Sequence, residues 1–195
     1  MKKIPLSFYQ EDDVLALSKS LIGKYLLTKL WPENEITGGM IIETEAYCGA
    51  TDKASHAYKN RRTKRTNTMF SVGGTAYIYL CYGLHNLFNI VTNKEDIPHA
   101  VLIRAIKPEI GIEVMLKRRN KEKIVPGLTK GPGSLCQALG MSREHDGCLL
   151  DGDHIWLEDR GIHIPDKDIK QTPRIGIDYA EEDAAKPWRY VFDPQ

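Results

Sequence analysis

At 195 residues, with 42% hydrophobic and 27% charged side chains, the chain carries enough apolar surface for one compact α+β domain spanning 1–195. No apolar run approaches the ~20 residues of a membrane span, and Met1-Lys2-Lys3-Ile4-Pro5 lacks the apolar stretch of a signal peptide, so no membrane partner is expected. The net charge is +1, so bulk charge does not mark a nucleic-acid binder, and Cys48, Cys81, Cys136 and Cys148 form no CxxC pair. Free thiols in a reducing cytosol are expected rather than a disulfide framework or a zinc cluster.

The first helix is expected over Gln10–Gly23, with Glu11, Asp12 and Asp13 at its positive end and Val14, Leu17, Leu21 and Ile22 along one stripe. Tyr25–Trp31 reads as a strand, Pro32-Glu33-Asn34-Glu35 as a turn, and Gly38–Tyr47 as the returning strand. That strand ends in Ile41-Ile42-Glu43-Thr44-Glu45-Ala46-Tyr47. Glu43, Glu45 and Tyr47 share one face by the two-residue period. A carboxylate beside an aromatic ring at the end of a buried strand has the makings of an acid or base with a stacking surface. Taken alone, the same pattern also fits a strand leaving the core with solvated glutamates.

Residues Cys48–Met69 are polar and basic, without periodicity, and too long for an idle connection. From Lys53 to Lys94 there is no Asp or Glu, whereas Lys53, Lys59, Arg61, Arg62, Lys64, Arg65 and Lys94 fall inside. A second basic run follows at Lys117–Lys123. A neutral chain with one basic face suits a polyanion, although a single charge run usually marks a solvated loop. Thr75–Cys81 and Leu87–Val91 are expected to pair as a hairpin, turning at Tyr82–Asn86 and presenting Tyr82 near its tip. Tyr77 and Tyr79 share a face, which also suits ordinary strand packing.

His99–Lys107 reads as a buried strand holding one cation, Arg104, which needs a carboxylate or water; Glu45 is available. Pro108–Arg119 is expected as a helix, and Gly131-Pro132-Gly133-Ser134 opens a short one. Asp146–Asp159 is acidic and expected on the far side. His154–Leu157, Pro173–Ile177 and Trp188–Phe192 are expected to complete the sheet. Antiparallel hairpins in one mixed α+β domain are the simplest architecture.

These motifs together resemble the alkyladenine (3-methyladenine) DNA glycosylases of the mammalian type, which also occur in bacteria. The likeness runs through ETEAY at 43–47, MF at 69–70, GTxYxYxxYG at 74–83, Asn89, LIRA at 102–105, GPGSLCQALG at 131–140, RIGI and KPWRY. It implies one domain with a curved, mainly antiparallel sheet, surrounding helices and a protruding hairpin. By position, it implies Glu45 as general base and Arg104 as a catalytic partner holding the attacking water, with a main-chain carbonyl near Ile175 in a similar role. Tyr47 and Tyr79 become the aromatic walls of a base pocket, His56 a contact to the purine edge, and Asn89 a bar to guanine. Tyr82 becomes the wedge filling the gap left by the extruded nucleotide, with Met69 beside it at the DNA. His85 departs from the aromatic residue of the mammalian protein, whose N-terminal extension has no counterpart here. The partner implied is double-stranded DNA containing damaged purines, acted on by a monomer with no cofactor and no metal.

The chemistry fits that reading. A base must leave the stack before its N-glycosidic bond is accessible. An inserted side chain can fill the vacancy, and rings can sandwich the base at roughly 1–3 kcal/mol per stacking contact. The bond breaks through an oxocarbenium-like sugar, with a carboxylate orienting the water. Methylated purines carry positive charge and leave readily, whereas hypoxanthine is neutral and needs help from protonation. Two alternatives stand beside this. A non-catalytic nucleic-acid binding module would use the basic stretch and the tyrosines but not Glu45. A carbohydrate or nucleoside hydrolase would use Glu43 and Glu45 as a pair, about 7 Å apart along the strand.

Overall fold

In the computed structural model, which describes residues 2–194, strands alternate with short helices in the order β1 (Lys2–Lys3), α1 (Val14–Ser20), β2 (Tyr25–Lys29), β3 (Ile36–Tyr47), β4 (Ala76–Cys81), β5 (His85–Thr92), β6 (His99–Ile110), α2 (Ile112–Arg118), α3 (Pro132–Leu139), β7 (Ile155–Asp159), β8 (Ile169–Thr172) and β9 (Arg189–Phe192). One antiparallel sheet runs β1-β7-β2-β3-β6-β5-β4, and β9 joins β3 to β8. The fold is thus mixed α+β, with β3 and β6 at its centre.

Strand β3 is shared between neighbours. Its first half pairs with β2 and its second half with β9, while β6 runs along the whole opposite edge. Gly39 faces Pro108 across that edge, where any Cβ would collide with the Lys107 carbonyl. This close approach draws Pro108 into β6 and explains why the expected 108–119 helix starts late, at Ile112. Proline has no N–H to lose from the ladder, and Gly111, at φ +67°, makes the turn into α2.

Two bulges lie in the same stretch. Ile41 and Glu43 face the consecutive residues Ile106 and Ala105, which leaves Ile42 unpaired on β3. Glu43 and Thr44 then face Ala105 and Ile103, which leaves Arg104 unpaired on β6. Bulges bend strands and re-aim side chains, and here they lie next to both glutamates.

Helix α1 is shorter than expected. Asp13 caps it by accepting hydrogen bonds from the amides of Leu15 and Ala16, and Leu6–Gln10 is a separate 3-10 turn. Val14, Leu17 and Leu21 bury against the sheet core of Ile41, Ala46, Phe88, Ile90, Val101 and Ile103. On β3, Thr44 points to this side and bonds Ser18, so Glu43 and Glu45 point to the other.

Two further expectations change. Pro173–Ile177 is irregular, and the strand falls at β8 just before it. Asp146 is not remote: it accepts hydrogen bonds from the Ile78 amide and the Thr68 hydroxyl, tying β4 to the 67–70 turn. The β4–β5 hairpin turns tightly through Tyr82 (φ +50°) and Gly83 (φ +71°), closed by the Leu84 amide on the Cys81 carbonyl at 3.0 Å. Positive φ at both central residues matches the strand twist, and glycine takes it without strain. The turn leaves Tyr82 89% exposed and Leu84 77% exposed.

Candidate active site

Beside this hairpin opens a cavity of about 420 Å³. That volume is in the range of small-molecule pockets. Its lining brings together Tyr47, His56, Tyr79, Tyr82, Asn89 and Arg104, residues drawn from six separate segments.

Glu45 has no exposed surface and lies just behind the cavity wall. Three donors converge on it, and each comes from a residue that does line the cavity. The Tyr47 hydroxyl donates to Oε2 at 2.9 Å, Arg104 Nη1 to Oε2 at 3.3 Å, and the Ile175 amide to Oε1 at 2.8 Å. The Tyr47 contact follows from the two-residue period. The Arg104 contact depends on the bulge that aims this side chain between the two glutamates. Arg104 Nε also donates to Glu43 Oε1 at 2.8 Å, and Arg189 approaches the same oxygen at 3.7 Å. Burial opposes the Arg104 charge, but Glu45 and Glu43 outweigh it and lift its pKa. Glu43 is therefore committed to two arginines, which weighs against a paired-carboxylate hydrolase. At Ile175 the main-chain N–H reaches the site by donating to Glu45.

The aromatic side is equally specific. Tyr77 and Tyr79 lie 5.5 Å apart, centroid to centroid, and His56 meets Tyr79 edge-on at 4.6 Å. The Tyr77 hydroxyl and His56 Nδ1 are 3.0 Å apart. Burial, then the charges of Arg65 and Arg61, lower the His56 pKa from 6.5 to about 4, so the imidazole is neutral near pH 7. Burial and then the Glu45 charge push the Tyr47 hydroxyl well above its ordinary range, keeping it a proton donor. Asn89 pairs with Tyr77 across the hairpin and donates to its carbonyl at 3.2 Å.

Met69 and Tyr82 line the same cavity, Met69 buried and Tyr82 exposed. Met69 is 2% exposed and packs with Phe70, Tyr77 and Ala57. The 67–70 turn that carries it is held through Thr68 by Asp146.

Two residues of consequence have no role in the sequence reading. Arg174 is fully buried against Asp52, with Nη1 at 2.6 Å and Nη2 at 2.9 Å from its two oxygens. It also donates to the Ala46 carbonyl and lies over the Tyr47 ring at 4.7 Å. One ion pair thus joins the strand bearing Glu45, the loop bearing His56 and the loop bearing Ile175. A lone cation in an apolar setting was the signal that marked Arg104, and Pro173-Arg174-Ile175 carries the same signal.

The expected basic face is smaller than the sequence suggests. Arg118 pairs with Glu33, Arg119 bonds Gln137 and the Leu128 carbonyl, and Lys53 pairs with Glu181 and Glu182. Lys59, Arg61, Lys64, Arg65 and Lys94 make no ion pair among the described residues. Also among these residues, no three His, Cys, Asp or Glu side chains converge as metal ligands would.

The model of one protein family, Methylpurine-DNA glycosylase (MPG), matches residues 7–195. The chain belongs to this family. Curated relatives agree along the full length. A protein of Chlamydia felis named "Putative 3-methyladenine DNA glycosylase" is 50% identical over 193 residues, covering 97% of this chain and 96% of its own. Proteins of the same name from Chlamydia abortus (50% identical, 97% of each chain) and Bacillus thuringiensis (45% identical, 97% and 95%) are similar to it over the same span. In the family's terms, the cavity beside the β4–β5 hairpin is the candidate active site.

Proposed function

We propose that this chain is a monofunctional DNA glycosylase that flips damaged purines out of duplex DNA and hydrolyses their N-glycosidic bond. Its substrates are 3-methyladenine, 7-methylguanine and hypoxanthine, and its product is an abasic site in base excision repair. The observation that carries this reading is one juxtaposition: a buried, triply hydrogen-bonded carboxylate behind a tyrosine-walled cavity, next to an exposed tyrosine on a tight hairpin tip.

Each part has work to do in that reaction. Tyr82 enters the stack where the nucleotide leaves. Tyr47 and Tyr79 stack the flipped base, His56 contacts its edge, and Asn89 crowds the exocyclic amine of guanine. Glu45 orients the attacking water and stabilises the oxocarbenium-like sugar. A carboxylate offers about four acceptor sites, and two of the three donors share Oε2, so Oε1 keeps a site for water beside the Ile175 amide. No lysine lines the cavity among the described residues, which supports attack by water and an unbroken DNA backbone. The enzyme acts as a cytoplasmic monomer without a cofactor.

The test is single-turnover base release from duplexes holding one hypoxanthine or one 7-methylguanine, in the presence of EDTA. Free base with the strand intact until alkali is added is the expected result. Tight damaged-DNA binding without base release would replace this reading with a binding module.

A further inference from the structure

We propose that Arg65 is a specificity-determining residue that sorts damaged purines by charge, favouring neutral deaminated bases over cationic methylated ones. This rests on the glycosylase reading and names the part of its substrate range that the cavity holds best.

The charges around the cavity are almost all matched. Arg104 and Arg189 face Glu43 and Glu45, Arg174 faces Asp52, and Lys53 faces Glu181 and Glu182. Arg65 also lines the cavity, yet it makes no ion pair among the described residues. Its guanidinium lies over the Tyr79 ring at 5.1 Å from the centroid, with Nη2 3.5 Å from His56 Nε2. The unmatched charge is thus held at the aromatic wall proposed to stack the base. His56, also on that wall, is neutral and offers no negative charge to offset it.

The consequence is electrostatic. The negative face of an aromatic ring attracts a cation, and Arg65 already engages that of Tyr79. A cationic base on the same ring competes for the same quadrupole and meets a like charge a few ångströms away. A purine methylated at N3 or N7 is such a base. Hypoxanthine is neutral, and its O6 acceptor suits a guanidinium donor. The other wall adds little discrimination, because the guanidinium over Tyr47 is neutralised by Asp52. Because Arg65 is exposed, solvent and salt hold its effect to about tenfold.

The test separates binding from chemistry. Duplexes carry hypoxanthine or 7-methylguanine on a 2′-fluoroarabinose sugar, whose fluorine disfavours the oxocarbenium and blocks hydrolysis. The ratio of the two affinities is measured for wild type, Arg65→Lys and Arg65→Met. The expected result is a hypoxanthine preference that falls about tenfold in Arg65→Met and is largely kept in Arg65→Lys. An unchanged ratio in Arg65→Met overturns the proposal. So does an equal loss on both duplexes with the salt slope reduced by about one, which marks a phosphate contact. Base release from ordinary sugars is followed in parallel. Should wild type release no base while the ratio still shifts, the glycosylase reading fails and the charge selector stands.

Discussion

The two sides of the cavity are built differently. One side is sheet: Glu45, Tyr47 and Arg104 sit on the two central strands, pinned by ladder hydrogen bonds and two bulges. The other side is loop and hairpin: His56 and Arg65 come from the long basic segment, and Tyr82 from an exposed turn. In the proposed reaction, chemistry that needs fixed geometry falls on the sheet side, and contacts that must admit and release a base fall on the loop side. The Arg174–Asp52 pair joins the two.

That division can be broken at its joint. Arg174→Met leaves Asp52 as an unpaired buried carboxylate, which costs about 3–5 kcal/mol and lowers Tm by about 10 °C. Calorimetry checks this, and a shift under about 2 °C would show that the pair does not hold the two sides together. On the loop side, Tyr82→Ser is expected to weaken damage-specific binding by roughly ten- to a hundredfold and to leave binding to undamaged duplex nearly unchanged. Equal losses on both duplexes would argue against a wedge.

On the sheet side, Tyr47→Phe keeps the ring and removes one donor to Glu45. Base release should slow about tenfold with damaged-DNA affinity held, and an affinity loss as large as the rate loss would deny the hydroxyl its separate role. The smallest effect concerns His56. Its pKa of about 4 lies below the unfolded value of 6.5, so the unfolded chain takes up this proton first as the pH falls. The group therefore removes stability between pH 6.5 and about 4, and the loss is complete below that window. NMR titration should find the low midpoint, moved only part of the way upward in Arg65→Met because burial is the larger cause. A midpoint near 6.5 in wild type would mean that the imidazole is solvated.

The same division decides what the sequence makes legible. Glu45 and Tyr47 could be read together because strand side chains repeat every second residue. Arg104 stood out as a single cation in an apolar strand. The bulges that aim it leave no pattern in the sequence, because they arise from pairing between strands some sixty residues apart. Pro108 was placed in a helix because its strand position depends on a glycine across the sheet. The burial of Met69 is not legible either, because the turn that carries it is held through Thr68 by Asp146, seventy-eight residues further on. Arg174 carried the same local signal as Arg104, but its partner Asp52 lies 122 residues away. Residues whose neighbours are local or periodic are legible in the sequence; of those fixed by distant pairing, Arg104 beside Glu45 is legible too, because a lone cation in an apolar strand calls for a carboxylate.

The central claim is that Glu45 does the chemistry while the rings hold the base. Single-turnover release and equilibrium binding of a hypoxanthine duplex by Glu45→Gln test it most directly. Affinity should stay within about threefold of wild type, because no stacking surface is lost, and release should fall by about a thousandfold. Release near the wild-type rate would contradict the account, since the carboxylate at its centre would then not be needed.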